Sequence, residues 1–383
     1  MILKAFDHIL TLHREDKKLF ARLHVPHRVI STCRVNGGLR EDITAVMNHQ
    51  SCEPCKHLTA HAKEITRSPA AYQEKLCSSV DIDYTTCAVL GTAANMNDAA
   101  VCLEEFRDLK VLAVTTGGVE GNAGRAGDPA WYLETETGFE DTRGNPLAPK
   151  TGTINSMIFI NQALTPAALT RSIVTATEAK SAALQELAVN SRYSMEPATG
   201  TGTDQIAVAS PLTDGFELTS SGKHTKLGEL IGRAVKASVK QTLSLQNTMT
   251  PEAQRSVKIH LERFGTDKAD LMDRISSHLG EDRAELLKNN PESILKDPLV
   301  TAAVAALAHL WDKIHWGILP DSCTPEIWCA HGAQAAAAVS GLPARIPYYQ
   351  EDLSNHLGER SAEDFINLIC RALALGYEDK WKS

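Results

Sequence analysis

The residue pattern changes character near position 246, and that change constrains the fold more than any other feature. Up to about residue 245, short runs rich in Val, Ile and Thr alternate with glycine-rich loops and helical patterns; beyond it no strand-like alternation survives. Strands are expected over 27–35, 84–93, 110–116, 152–161 and 204–210, each bounded by turn residues. Helices are expected over 97–107, 165–188 and 225–244. The second of these opens at Thr165-Pro166, a capping residue followed by proline at the first helical position. Along it Leu169, Ile173, Ala176, Leu184 and Leu187 recur near the 3.6-residue period, with Lys180 in their midst. Alternating strands and helices imply a layered α/β domain over 1–245, without fixing the strand order.

The remainder, 246–383, reads as an all-α accessory domain. Helix starts fit at Thr250-Pro251, near Asp267 and Glu281, and at Asp297-Pro298, with a last pair over 324–340 and 361–376. Trp311, His315 and Trp316 lie at helical spacing and are assigned to that domain's core.

Several function classes are disfavoured. A net charge of −8 lacks the basic footprint of a nucleic-acid binder. No run approaches the 18 apolar residues of a membrane span. The opening MILKAFDHILTLHRED has no signal-peptide apolar region or cleavage site, so a cytoplasmic protein is expected. Nine scattered cysteines without a secretory signal do not form a disulfide framework. His49, Cys52, Cys55, His57 and His61 include one CxxC but no second pair, so a redox or structural thiol pair is expected there ahead of a metal site.

Chemistry is concentrated in the first part. TTGGVEGNAGRAGDP (115–129) follows an expected strand and sets Glu120, Asn122, Arg125 and Asp128 among glycines, which let backbone approach a ligand. It matches neither a phosphate-binding P-loop nor the dinucleotide fingerprint. GTINSMIFIN contributes Thr153 and Asn155, and TATEAKSAALQEL contributes Glu178 and Lys180. ATGTGTDQIAVAS (198–210) packs Thr199, Thr201 and Thr203 between glycines ahead of Asp204. SSGKHTKLGELIGRAV (220–235) places Lys223 and His224 on a turn before an amphipathic helix, and histidine titrates where a general base is useful. Taken singly, each has a plain structural explanation: a surface loop, a strand start, a solvated helix face, a cap.

Together, and in this order, these segments resemble the adenosylcobinamide amidohydrolase (CbiZ) family over roughly residues 25–245. Asn36-Gly37-Gly38 and Asn48-His49 look similar to the family's opening. The helical remainder and the CxxC lie outside the resemblance. It implies hydrolysis of the amide joining the aminopropanol arm to the corrin ring, giving adenosylcobyric acid and 1-aminopropan-2-ol in corrinoid salvage. The glycine–threonine loops suit a broad ligand rimmed with neutral amides. Amide hydrolysis needs a nucleophile, an oxyanion stabiliser and an acid for the amine. One route has Glu120 or His224 activating water, with Lys223 or loop N–H groups on the oxyanion and the charged partner protonating the amine; Asp204, Glu178 and Lys180 are second choices for proton handling. In the other a threonine of 199–203 attacks directly. Asn122, Arg125, Asp128, Thr153, Asn155, Glu178, Lys180 and the three threonines would bind substrate. No catalytic metal and no cofactor beyond the substrate's own cobalt is expected. A corrinoid carrier without turnover, or a cobinamide kinase-like transferase, are the rival readings. The helical segment is left with two roles, forming a homodimer or closing over the pocket.

Overall fold

The computed structural model describes residues 1–51, 67–142 and 152–381, so the Cys52/Cys55 pair with His57 and His61 lies outside the described residues. The chain divides into two compact units, Met1–Met249 and Thr250–Ser383.

In the first unit the strands are β1 (Ile2–Phe6), β2 (Leu10–Glu15), β3 (Lys18–Leu23), β4 (His27–Ser31), β5 (Gly38–Arg40), β6 (Ala45–Gln50), β7 (Cys87–Thr92), β8 (Ala100–Phe106), β9 (Leu109–Gly118), β10 (Ala123–Gly124), β11 (Tyr132–Thr135), β12 (Gly138–Asp141), β13 (Thr153–Ile160), β14 (Gly200–Thr201) and β15 (Gln205–Pro211). One sheet has five strands in the order β1-β2-β3-β6-β7; the other has six, β5-β4-β15-β13-β9-β8. Both are mixed. Parallel pairs need a crossover; helix α1 (Pro69–Ser78) lies in the one between β6 and β7, and α2 (Pro166–Glu186) in the one between β13 and β15. A further helix, α3 (Lys226–Asn247), packs with α2 and along β9.

Strand β13 explains the layering. All eight of its residues are buried, and successive side chains face opposite ways. Ile154, Ile158 and Ile160 pack with Leu169, Leu184, Leu230 and Val239 of the helices. Met157 and Phe159 pack with Leu12, Leu19, Val46 and Leu90 of the other sheet. A strand covered on both faces carries no polar alternation, which is why TINSMIFI reads as a continuous run. The outer face of the five-stranded sheet, Phe20, Ala45 and Met47, is covered by Cys77, Val80 and Ile82.

The helix expected over 97–107 is a strand. Arg107 adopts φ 54, the left-handed conformation of a two-residue hairpin turn, and β8 folds back on β9 from Phe106↔Leu109 to Ala100↔Thr115. The consecutive acids Glu104 and Glu105 break the alternation on this half-exposed edge strand, which left apolar residues at helix-like spacing. The opening residues, for which no element was expected, form the β1–β3 meander. Asn36 also takes a left-handed φ of 57, and a Cβ on Gly37 would lie 2.0 Å from the Cys33 carbonyl oxygen. The Asn-Gly-Gly run is therefore a tight bend into β5.

The second unit is all helical, giving an α/β fold followed by an all-α region. Its longer helices are Pro298–His315, Thr324–Ser340 and Ala362–Asp379, joined by Lys268–Ser276, Glu281–Asn289 and Ile346–Ser354. Asp267, Asp297 and Ser361 cap their helices through side-chain oxygens. Trp311, Trp328 and Phe365 form an aromatic centre with ring separations of 4.9 to 5.7 Å. The Trp311/His315/Trp316 assignment holds only for Trp311. The His315 ring stacks on Trp311 from the outside, and Trp316 stays 38% exposed, because the helix ends there. Among the described residues no helix is long and apolar enough to cross a membrane.

Candidate active site

The C-terminal end of β9 and the N-terminal ends of β13 and β15 lie side by side, with Gly118 opposite Thr153 and Asn155 opposite Gln205. Two loops meet above them through the short antiparallel pair β10–β14. Eleven of the fourteen sequence-expected site residues lie on these strand ends, on the loops above them or on the facing helix α2; Glu178, Lys223 and His224 do not join them.

Asp204 organises this end. Its Oδ1 accepts the Ile154 N–H at 2.8 Å and the Thr201 hydroxyl at 2.5 Å. Its Oδ2 accepts the Thr201 N–H at 3.0 Å and pairs with the Lys180 ammonium. Lys180 and Asp204 are 16% and 14% exposed, so the pair is largely desolvated. A Cβ on Gly200 would stand 2.6 Å from Asp204 Oδ2 and 2.9 Å from Lys180 Nζ. Glycine at 200 is what lets the loop close over this pair.

Asn122 is the second organiser. Its Nδ2 donates to the Gly152 carbonyl at 3.0 Å and to Thr203 Oγ1 at 3.4 Å. The Tyr193 hydroxyl donates to Asn122 Oδ1 at 2.5 Å. Thr203 Oγ1 also lies 2.6 Å from Thr153 Oγ1 and donates to the Gly152 carbonyl at 2.9 Å. Thr199 Oγ1 accepts the Ala126 N–H at 2.9 Å, and Ser181 donates to the Thr199 carbonyl. Asp128 accepts the Arg125 N–H at 2.7 Å and the Ser191 hydroxyl at 2.6 Å, while Arg125 pairs with Glu196. Burial alone would raise the Asp128 carboxyl, but these hydrogen bonds and the Arg125 charge hold it below its ordinary value.

Beneath the loops, buried amides tie the two sheets together. Asn155 donates to Asn48 Oδ1 and to the Gly91 carbonyl, both at 3.0 Å, and Asn48 donates to Thr116 Oγ1 at 2.7 Å. Gln205 Oε1 accepts the Gly91 N–H at 2.8 Å. With Asn155 and Thr116 at 0% and Asn48 at 1% exposure, this buried network lies beneath the loops and supports them.

Glu120 is exposed on the loop between β9 and β10, and among the described residues it has no hydrogen-bond or ion partner. His224 is not near it. His224 lies two residues before the start of α3, whose first residue, Lys226, lies over the Phe106 ring, whereas Asn247 at the other end accepts the Val119 N–H. Twenty-two helical residues put about 33 Å between those ends. Lys223 pairs with Glu178 at 2.7 Å on the outer surface. Glu178 is two residues from Lys180, so the two side chains leave α2 about 200° apart. A single centre built from Glu120, Lys223 and His224 is thus not what the fold assembles; Glu178, Lys223 and His224 form a separate surface group.

Sequence reading missed Tyr193, Ser191, Ser181 and Gln205. The polar run NSRYS just ahead of ATGTGTD was the available signal.

The profile of the adenosylcobinamide amidohydrolase family matches residues 4–251. The uncharacterized protein MJ1613 of Methanocaldococcus jannaschii is 36% identical over 237 residues, 61% of this chain and 88% of that protein. The crystal structure of the PH0078 protein from Pyrococcus horikoshii OT3 superposes at a TM-score of 0.30 with 12% identity, covering 60% of this chain and 77% of that one. That last likeness is too slight to carry an argument.

Proposed function

The chain belongs to the adenosylcobinamide amidohydrolase family and is an amide-bond hydrolase, and on that premise we propose that it converts adenosylcobinamide to adenosylcobyric acid and 1-aminopropan-2-ol for corrinoid salvage. The activity resides in residues 1–245, and the helical remainder is accessory.

One observation carries the reading: an exposed carboxylate, Glu120, lies on the loop two residues before Asn122, which together with Asp204 organises a cluster of hydroxyls and amides. Glu120 takes a proton from water as the oxygen attacks the amide carbon. Loop N–H groups hold the oxyanion, and the same proton passes to the departing nitrogen as the C–N bond breaks. Water is consumed, and a carboxylic acid and an amine leave. Asp204 is a positioning residue, since its oxygens already accept four donors. Thr199, Thr203, Thr153 and Arg125 contact substrate amides. Neither a metal held by the protein nor a further cofactor takes part.

A second reading rests on Thr201, whose hydroxyl donates to the Asp204 carboxylate at 2.5 Å, with this threonine as the nucleophile. It predicts an acyl-enzyme on Thr201, visible as a corrinoid mass adduct after acid quench.

The test is incubation with adenosylcobinamide, with and without chelator, followed by mass spectrometry. Equal amounts of adenosylcobyric acid and 1-aminopropan-2-ol under both conditions support hydrolysis without a protein-held metal. Tight corrinoid binding without product would make the chain a carrier.

A further inference from the structure

The hairpin β11–β12 stands apart from both main sheets as a two-stranded ribbon. Its strands pair from Tyr132↔Asp141 to Thr135↔Gly138, so Tyr132, Glu134, Phe139 and Asp141 share one face. Phe139 is 65% and Tyr132 52% exposed, whereas Leu133, on the opposite face, is 56% exposed. Two-stranded ribbons are marginal in water, and one that displays large apolar side chains lacks the burial that would stabilise it.

The hairpin is continuous with the site. Asp128, fixed by Ser191 and the Arg125 N–H, lies four residues before Tyr132. From Pro129 to Thr142 the chain carries Glu134, Glu136, Glu140 and Asp141 and no lysine or arginine.

We infer that this hairpin is the wall against which the corrin ring of the substrate lies, with Tyr132 and Phe139 giving apolar contact and Glu134 and Asp141 accepting peripheral amide N–H groups. The inference rests on the substrate named under Proposed function. An adenosyl-bearing Co(III) corrin is a broad ring edged with methyl groups and amide donors and carries a single net positive charge. An acidic ribbon with an aromatic face, about 13 Å long by its strand rise, complements each of those properties.

The test is equilibrium dialysis with adenosylcobinamide, alongside steady-state kinetics, on the full chain. Phe139→Ser and Tyr132→Ser are each expected to raise Kd and KM at least roughly tenfold, the scale of losing one buried aromatic contact, with kcat changed less than about threefold. Leu133→Ser, on the other face, is expected to change neither. Unchanged Kd in the Tyr132→Ser/Phe139→Ser double variant would overturn the inference. So would a hairpin that holds a second copy of this chain, seen as a dimer that the double variant dissociates while Kd stays fixed. The dialysis is run in the Glu120→Gln background, where turnover is suppressed, so corrinoid binding there with no product from the wild-type chain would remove the hydrolase reading while still testing the hairpin.

Discussion

Asp204 pairs with the Lys180 ammonium through Oδ2 while its Oδ1 accepts the Ile154 N–H at 2.8 Å, so one carboxylate joins α2, β13 and the glycine–threonine loop. Removing it would leave Lys180 charged and only 16% exposed. Asp204→Ala is expected to lower unfolding free energy by about 3 kcal/mol, the scale for stranding one partner of a desolvated pair. Urea titration measures this, and a loss under about 1 kcal/mol would mean the pair is held loosely.

Glycine 200 is expected to be irreplaceable while glycine 202 is not. The Gly200→Ala methyl would collide with Asp204 Oδ2 at 2.6 Å, and that oxygen is pinned by its other donors. At Gly202 the nearest atom is Asn122 Oδ1 at 3.3 Å. Overpacking costs about 1–3 kcal/mol, so Gly200→Ala should shift the urea midpoint clearly and Gly202→Ala little. Equal shifts would contradict the geometry.

Much of this was legible in the sequence, and the failures have physical causes. Strands β9, β13 and β15 and helices α2 and α3 were readable because both faces, or one full stripe, are apolar. Strand β8 was misread because it is a half-wet edge with adjacent acids. The loop residues were recognised as a cluster by glycine and hydroxyl density, but side-chain direction was not. Nothing local says that Lys180 points at Asp204 while Glu178, two residues earlier, points away, or that α3 carries His224 far from Glu120.

Stability of the first unit should fall in mild acid. His27 is 1% exposed, and burial lowers its pKa below 6.5 despite the raising effect of the Val25 carbonyl 2.7 Å from Nδ1. The unfolded chain therefore binds a proton that the folded state refuses, so the contribution is complete above the unfolded value of 6.5 and is lost as pH drops below it towards the folded value. Urea midpoints at pH 7.5 and 5.5 should fall in the wild type and fall less in His27→Gln. An identical fall in both would exclude His27 as a source.

Thiol reactivity should divide the described cysteines. Burial pushes the Cys33 thiol up to about 11 and the Cys370 thiol up to about 12, whereas Cys102 and Cys323 are partly exposed. Iodoacetamide at pH 8 should alkylate Cys102 and Cys323 well before Cys33 and Cys370, as read by peptide mass spectrometry. Early labelling of Cys370 would mean the helical core opens readily.

The central claim, that amide hydrolysis takes place at the Glu120 end of the sandwich, is tested most directly by kcat/KM for adenosylcobinamide in two variants. Glu120→Gln should fall at least roughly a hundredfold, the lower range of general-base catalysis, while His224→Ala, at the far end of α3, stays within about threefold of wild type. A wild-type rate in Glu120→Gln together with a collapse in His224→Ala would contradict the account and move the chemistry to the other end of the helix.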